Sequence, residues 1–168
     1  MNVAEAIRTK RATREFSNRS VPAEVITSIV DAGRRAQSSK NTQPWHFVVV
    51  RKRETLRELA AVGPFAGHLA GAAFGVALVS PDQAARWSIP FDLGKAAAYM
   101  QLAAWEHGVG SCIGSIYEPE KARSILGVPA DLNIQVALSF GYPAETAPRP
   151  PRPGGRRSLG EVAHWDKW

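Results

Sequence analysis

Residues 91–107 impose the strongest constraint on the fold. They have the length, and the alanine, leucine and methionine content, of a helix that is apolar nearly all round. Such a helix is stable in water only when other elements cover it on most sides, so the spacing predicts a central helix with the rest of the chain around it. The glycines in 108–110 end it. With 168 residues, the chain has the length of one ordinary domain.

The elements around that helix are read from periodicity. Residues 3–10 form a short first helix. Pro22 stands where a first helical turn tolerates it, and Val25, Ile26, Ile29, Val30 and Gly33 then recur at helical spacing, giving one buried face. Residues 46–51 (HFVVVR) and 71–80 read as buried strands. Residues 54–61 and 118–126 read as helices, the second opening with Glu-Pro-Glu at the positive end of its dipole. Residues 111–116 and 133–140 complete the strand set. Strands and helices intermingle without a strict βαβ rhythm, which predicts an α+β fold: a small mixed central β-sheet flanked by helices. A single domain spans residues 1–168. Its residues 143–155 are rich in proline and arginine, with little tendency to regular structure.

Several chemistries lack their residues. One cysteine, Cys112, leaves no internal disulfide, and His46, His68, His107 and His164 are scattered without zinc spacing. There is no GxxxxGK[ST] phosphate loop and no GxSxG elbow. Residues 108–114 read G-x-G-x-x-x-G, one residue too long for the dinucleotide fingerprint, and they follow a helix where that fingerprint follows a strand. Cys112 reads as a buried structural thiol. The first residues contain no apolar stretch of the secretory kind, and the most apolar run, 69–80, is too short to span a bilayer. These features predict a cytoplasmic protein. The net charge of +6 fits a solvated basic surface, an anionic ligand or a nucleic acid. Arginines gather near both chain ends, at Arg8, Arg11 and Arg14, and at Arg149, Arg152, Arg156 and Arg157.

Three segments resemble the nitroreductase family. The first, Lys10-Arg11-Ala12-Thr13-Arg14-Glu15-Phe16, is similar to the family's Arg-Arg-Ser-x-Arg-x-Phe, with Ala12 in place of the serine. The second, Gln37-Ser38-Ser39-Lys40-Asn41-Thr42-Gln43-Pro44-Trp45-His46-Phe47, resembles Pro-Ser-x-x-Asn-x-Gln-Pro-Trp-x-Phe and is the most specific, with Gln37 replacing the proline. The third, residues 103–114, resembles Leu-Ala-Ala-x-x-x-Gly-Leu-Gly-Ser-Cys-x-x-Gly. Gly141-Tyr142-Pro143 matches a family turn, and residues 156–162 resemble Arg-Lys-Pro-Leu-Glu-Glu-Val.

The resemblance implies a homodimer with flavin mononucleotide (FMN) at the subunit interface. Arg11 and Arg14 would hold its phosphate and ribityl chain with Ala12 and Thr13, because a guanidinium grips a phosphate monoester in a two-pronged fork. Arg156, with Arg157 as the near alternative, would join them from the tail. Ser38, Ser39, Asn41 and Gln43, from the other subunit, would offer hydroxyl and amide groups to the ring and ribityl. Gly114 and Ser115 mark where backbone approaches the flavin, while Trp45 and Phe47 pack in the core. Phe65, Trp87 and Phe91 fit either a stack over the flavin or core packing. The tail, 143–168, would pack on the partner subunit, burying Trp165 and Trp168.

The implied activity is hydride transfer from NADH or NADPH through flavin N5 to a nitroaromatic, quinone or similar small-molecule acceptor, in a ping-pong sequence with the chemistry on FMN and no catalytic side chain. Family relatives with other flavin chemistry (flavin fragmentation, dehalogenation of iodotyrosine, oxidation of peptide-derived rings) stay open, as does a non-catalytic flavin-storage protein. A basic nucleic-acid-binding module is the rival from another class, disfavoured because aromatic residues do not interleave with the basic ones.

Overall fold

The computed structural model describes residues 1–145 and 155–168; Arg149 and Arg152 lie outside the described residues. In chain order the elements are α1 (Val3–Thr9), α2 (Ala23–Arg34), β1 (His46–Val50), α3 (Arg53–Ala60), β2 (Phe74–Ser80), α4 (Ser88–Glu106), β3 (Gly110–Ser115), α5 (Pro119–Leu126) and β4 (Asn133–Gly141).

The strands form one sheet in the order β1-β2-β4-β3. Phe47 lies opposite Leu78, Val76 opposite Leu138, and Cys112 opposite Ser139. The α+β class stands, but the mixed sheet is corrected: every pair of named strands is antiparallel. The reason lies in the crossover. β2 and β3 run the same way, joined by α4, but β4 fills the slot between them and turns both contacts antiparallel. Among the described residues the one parallel bridge is Ala12 with Ser111.

Strand β2 is buried along its whole length, because both faces of the sheet are covered. On one face Ile26 and Ile29 of α2 and Leu93, Ala96 and Met100 of α4 pack on Phe74, Val76, Leu138 and Phe140. The Phe74 and Phe140 rings stack with centroids 4.8 Å apart, and burying each such side chain stabilises by roughly 1.5–3 kcal/mol. On the other face Leu56 and Leu59 of α3 and Ala122 of α5 pack on Ala77, Val79, Ile134 and Ala137. Gly33 lets α2 and α4 cross closely, since a Cβ there would stand 2.3 Å from the Met100 side-chain end.

Helix α4 is central on one side only. Ile89, Leu93, Ala96, Ala97, Met100 and Ala104 are buried, whereas Phe91 is 65% and Tyr99 43% exposed, and Trp87 just before the helix is 79% exposed. A single copy of the chain does not satisfy the all-round apolar surface of this segment. Val3 and Ile7 of the adjoining α1 are likewise exposed. No helix among the described residues is long and apolar enough to cross a membrane.

Candidate functional site

The first group of expected site residues, residues 11–14, is fastened to β3. Ala12 bridges Ser111, and the Thr13 N–H donates to the Ser111 carbonyl at 3.0 Å. Thr13 is buried, and its side chain fills the space above Gly110, where a Cβ would come within 2.4 Å of Thr13 Oγ1. This anchoring leaves Arg11, Ala12 and Arg14 exposed on either side of a buried threonine. Arg11 Nη1 donates to the carbonyls of Arg8 and Lys10 at 2.8 and 2.9 Å. The guanidinium thereby caps the end of α1, where carbonyls lack helical partners, and is held in place before any ligand arrives. Arg14 has no ion pair among the described residues. Its charge reaches His68 and Cys112.

The second group lies on a 3-10 turn, Ser39–Asn41, just ahead of β1. Lys40, Asn41 and Gln43 have φ of 52°, 52° and 47°, a left-handed conformation that costs each non-glycine residue on the order of 1–3 kcal/mol. The surroundings hold it. Ser38 Oγ accepts from the Gln43 N–H at 2.9 Å, Thr42 Oγ1 donates to the Ser39 carbonyl at 3.0 Å, and Arg86 Nη2 donates to Thr42 Oγ1 at 2.6 Å. Beneath the turn, Asp92 Oδ2 accepts from the Ser39 N–H at 3.1 Å, while Lys95 Nζ is 2.9 Å from Asp92 Oδ1. Trp45 is buried and stacks on Phe47 at 6.2 Å, so both pack in the core.

The third group, Gly114 and Ser115, closes β3 at the opposite end from Gly110. The space where a Gly114 Cβ would sit is bounded by Ala66 Cα at 3.1 Å and the His68 ring at 3.4 Å, so packing within the chain already leaves a tight fit for any larger residue here. His68 Nδ1 lies 2.7 Å from Ser139 Oγ, which donates to the Cys112 carbonyl at 3.4 Å. Burial, with help from the Arg14 charge, lowers the His68 pKa against the carbonyls of Ile113 and Phe65. Burial also raises that of Cys112 against Arg14 and Lys10. A neutral imidazole and an un-ionised thiol follow near neutral pH, fitting a structural role for both.

The first two groups do not meet in one chain. The turn rests on Asp92, near the start of α4, whereas α1 rests on its end, where Trp105 Nε1 donates to Thr9 Oγ1 at 2.9 Å. Asp92 and Trp105 are separated by about 20 Å along the helix at a rise of about 1.5 Å per residue. The turn precedes edge strand β1 and residues 12–13 pair with edge strand β3, which adds three strand spacings, about 14 Å. Arg156 and Arg157 are exposed in a tail whose described residues, 155–168, are exposed except for half-buried Ala163. Neither makes a hydrogen bond or ion pair among the described residues.

Sequence reasoning missed Asp92, Lys95 and Arg86. Burial pushes the Asp92 carboxyl up, but Lys95, the Ser39 N–H and Arg86 outweigh it and hold its pKa below the ordinary value. The available signal was a lone carboxylate inside an apolar helix, which has to be paired or hydrogen-bonded. Phe65, at 64% exposure, joins Trp87 and Phe91 outside the core, which removes core packing as their role in the single chain.

The nitroreductase family model matches residues 7–66 and 64–142. A protein of Methanothermobacter thermautotrophicus, provisionally named an NADH dehydrogenase/NAD(P)H nitroreductase, is 32% identical over 177 residues, covering 100% of this chain and 88% of its own. An iodotyrosine deiodinase of Thermotoga neapolitana is 23% identical over 167 residues, covering 85% of this chain and 89% of its own. Among solved structures, an FMN-dependent nitroreductase from Clostridium difficile R20291 superposes with a TM-score of 0.86 at 24% identity, over 99% of this chain and 100% of that one. The chain is an oxidoreductase, and it belongs to the nitroreductase family.

Proposed function

We propose that the chain is an FMN-dependent oxidoreductase that takes electrons from NADH or NADPH and passes them to a nitroaromatic, quinone or similar acceptor. It would work as a homodimer with each flavin between the subunits. The observation that carries this reading is the separation of the two polar half-sites to opposite ends of α4. A second copy packed against the exposed face of α4 would bring the turn of one chain to the arginines of the other. That face carries Phe91 and Tyr99, and its burial would also remove the apolar surface left open in one copy.

The donor set fits the cofactor. Arg11, pre-positioned on the α1 carbonyls, and Arg14, with no carboxylate of its own, would bind the phosphate, with the backbone of Ala12 and Thr13 beside them. Arg156 or Arg157 would add a further guanidinium from the tail. The hydroxyls of Ser38 and Ser39 and the amides of Asn41 and Gln43 would face the ring edge and ribityl of the partner's flavin. Their backbone N–H groups at Ser39 and Gln43 are already taken by Asp92 and Ser38. The backbone at Gly114 and Ser115 would line the ring. When bound, FMN supplies the two-electron carrier between nicotinamide and acceptor. Trp87 and Phe91, exposed at the same end of α4 as the turn, offer aromatic faces to a planar acceptor.

The visible spectrum of the purified protein tests the reading, recorded before and after anaerobic NADPH. The expected outcome is a yellow dimer that NADPH bleaches and a quinone or nitroaromatic restores, with ping-pong kinetics. Failure of a folded, dimeric preparation to take up added FMN overturns it. Colour that NADPH leaves untouched points to flavin storage, and turnover of iodotyrosine alone points to dehalogenation.

A further inference from the structure

A second cationic cleft, lined by none of the residues of either half-site, lies at the end of the sheet where β1 finishes. It holds about 230 Å³ and is bounded by residues 17–21 ahead of α2, by Arg51 and Arg53 after β1, and by Gly71 and Ala73 ahead of β2. Arg19, Arg51 and Arg53 line it together with Ser17, Asn18 and Ser20, and no acidic side chain does.

The three arginines carry no compensating charge. None forms an ion pair among the described residues. Two are held by neutral groups instead. The Arg19 guanidinium lies 3.9 Å from the centroid of the Tyr142 ring, and Arg53 Nη1 donates to the Ala70 carbonyl at 3.3 Å. Tyr142 is fixed in turn, its carbonyl accepting from the Ser17 N–H at 2.8 Å. An aromatic face and a carbonyl orient a guanidinium without cancelling its charge, and most of its five N–H donors stay open. Three like charges gathered in one cleft repel one another, a cost that an anion removes. The pocket is smaller than the roughly 300–1,000 Å³ typical of sites that enclose a whole drug-sized ligand. Its size suits a small anionic group.

We propose that this cleft is a binding site for a phosphate group, held by Arg19, Arg51 and Arg53 with the hydroxyls of Ser17 and Ser20. The guanidinium fork matches phosphate oxygens two at a time, and a dianion answers the surplus charge better than a single carboxylate. The phosphate comes either free, as inorganic phosphate, or on a nucleotide. The site is distinct from the proposed flavin site in its lining, which includes neither Arg11 nor Arg14.

Isothermal titration of the full chain, with saturating FMN and ionic strength matched by chloride, tests it. Inorganic phosphate and adenosine 5′-monophosphate are the probes. One saturable site per chain is expected, weakened at least tenfold in Arg51→Gln and in Arg19→Gln and unchanged in Lys121→Gln, on α5, whose start is tied to the Val62 carbonyl beyond the far end of α3. An Arg11→Gln/Arg14→Gln double variant should keep this site whatever happens to FMN, which separates the two readings. Tighter binding of the nucleotide assigns the site to a phosphate ester, and equal or tighter binding of inorganic phosphate assigns it to the free ion. Absence of saturable binding, or binding indifferent to Arg19→Gln and Arg51→Gln in variants with unchanged circular dichroism, overturns the proposal.

Discussion

The two halves of the proposed flavin site are built in opposite ways. Residues 11–14 are positioned by the sheet itself: a bridge and a backbone hydrogen bond to Ser111, with Thr13 buried over Gly110. The turn at 38–43 is positioned by side chains, and its left-handed backbone is held against local preference by Asp92, Arg86 and Ser38. The proposed phosphate-binding half thus draws its rigidity from direct pairing with the sheet edge and from the buried Thr13 side chain. The ring-facing half draws it from a few polar contacts on α4 and is the easier to disturb without unfolding the domain.

Four substitutions sharpen that contrast. The largest effect is expected from Arg14→Ala, which removes a charge-assisted fork worth about 2–4 kcal/mol. FMN affinity, followed by quenching of flavin fluorescence, should fall by a factor of about 30 or more, with the melting temperature of the flavin-free protein unchanged. Retention of wild-type affinity would remove Arg14 from the phosphate site. Next is Gly110→Ala, whose Cβ collides with a buried threonine. Overpacking of this kind costs about 1–3 kcal/mol, so chemical denaturation should show a loss of that size, with FMN affinity falling alongside because residues 11–14 are displaced.

Asp92→Asn should destabilise by about 1–2 kcal/mol near neutral pH, since a hydrogen bond to a charged group is exchanged for a neutral one. The sign with pH follows from the lowered pKa of Asp92. Its stabilisation is complete above the unfolded value near 3.8 and is lost as pH falls through the lower folded value. Acid titration of stability should therefore bring wild type and Asp92→Asn together at low pH, and a gap that stays constant would contradict it. The smallest effect is that of Lys40→Gly. Glycine adopts φ of 52° without the Cβ penalty but loses more chain entropy, for a net gain of up to about 1 kcal/mol, or roughly 2–4 °C in Tm. A fall in Tm would show that the turn is not strained at Lys40.

Most of the frame was legible because it is local. The HFVVV strand, the helical spacing of Ile26 and Ile29, and the glycines after α4 each announce an element through neighbouring residues, and the structure places all of them within a few residues of expectation. The sheet's antiparallel character was not legible, because it depends on the last strand, β4, entering between β2 and β3. Nor was Asp92: one carboxylate within an apolar run reads as a tolerated exception until Ser39, far away in sequence, is found above it. The aromatic surface of Phe65, Trp87 and Phe91 was open between core and ligand roles, since hydrophobicity alone does not say which side of a helix faces out.

The sequence by itself determined which residues carry charge and amide chemistry, where helices and strands run, and that one segment has apolar surface on every side. Periodicity and residue type settle those matters within a few residues along the chain. Only the tertiary structure decided that the arginines and the polar turn stand at opposite ends of α4, that half of that helix is left uncovered, and that Arg19, Arg51 and Arg53 share a cleft. Those facts depend on how distant segments pack, and contacts between segments far apart in sequence leave no periodic trace in either of them.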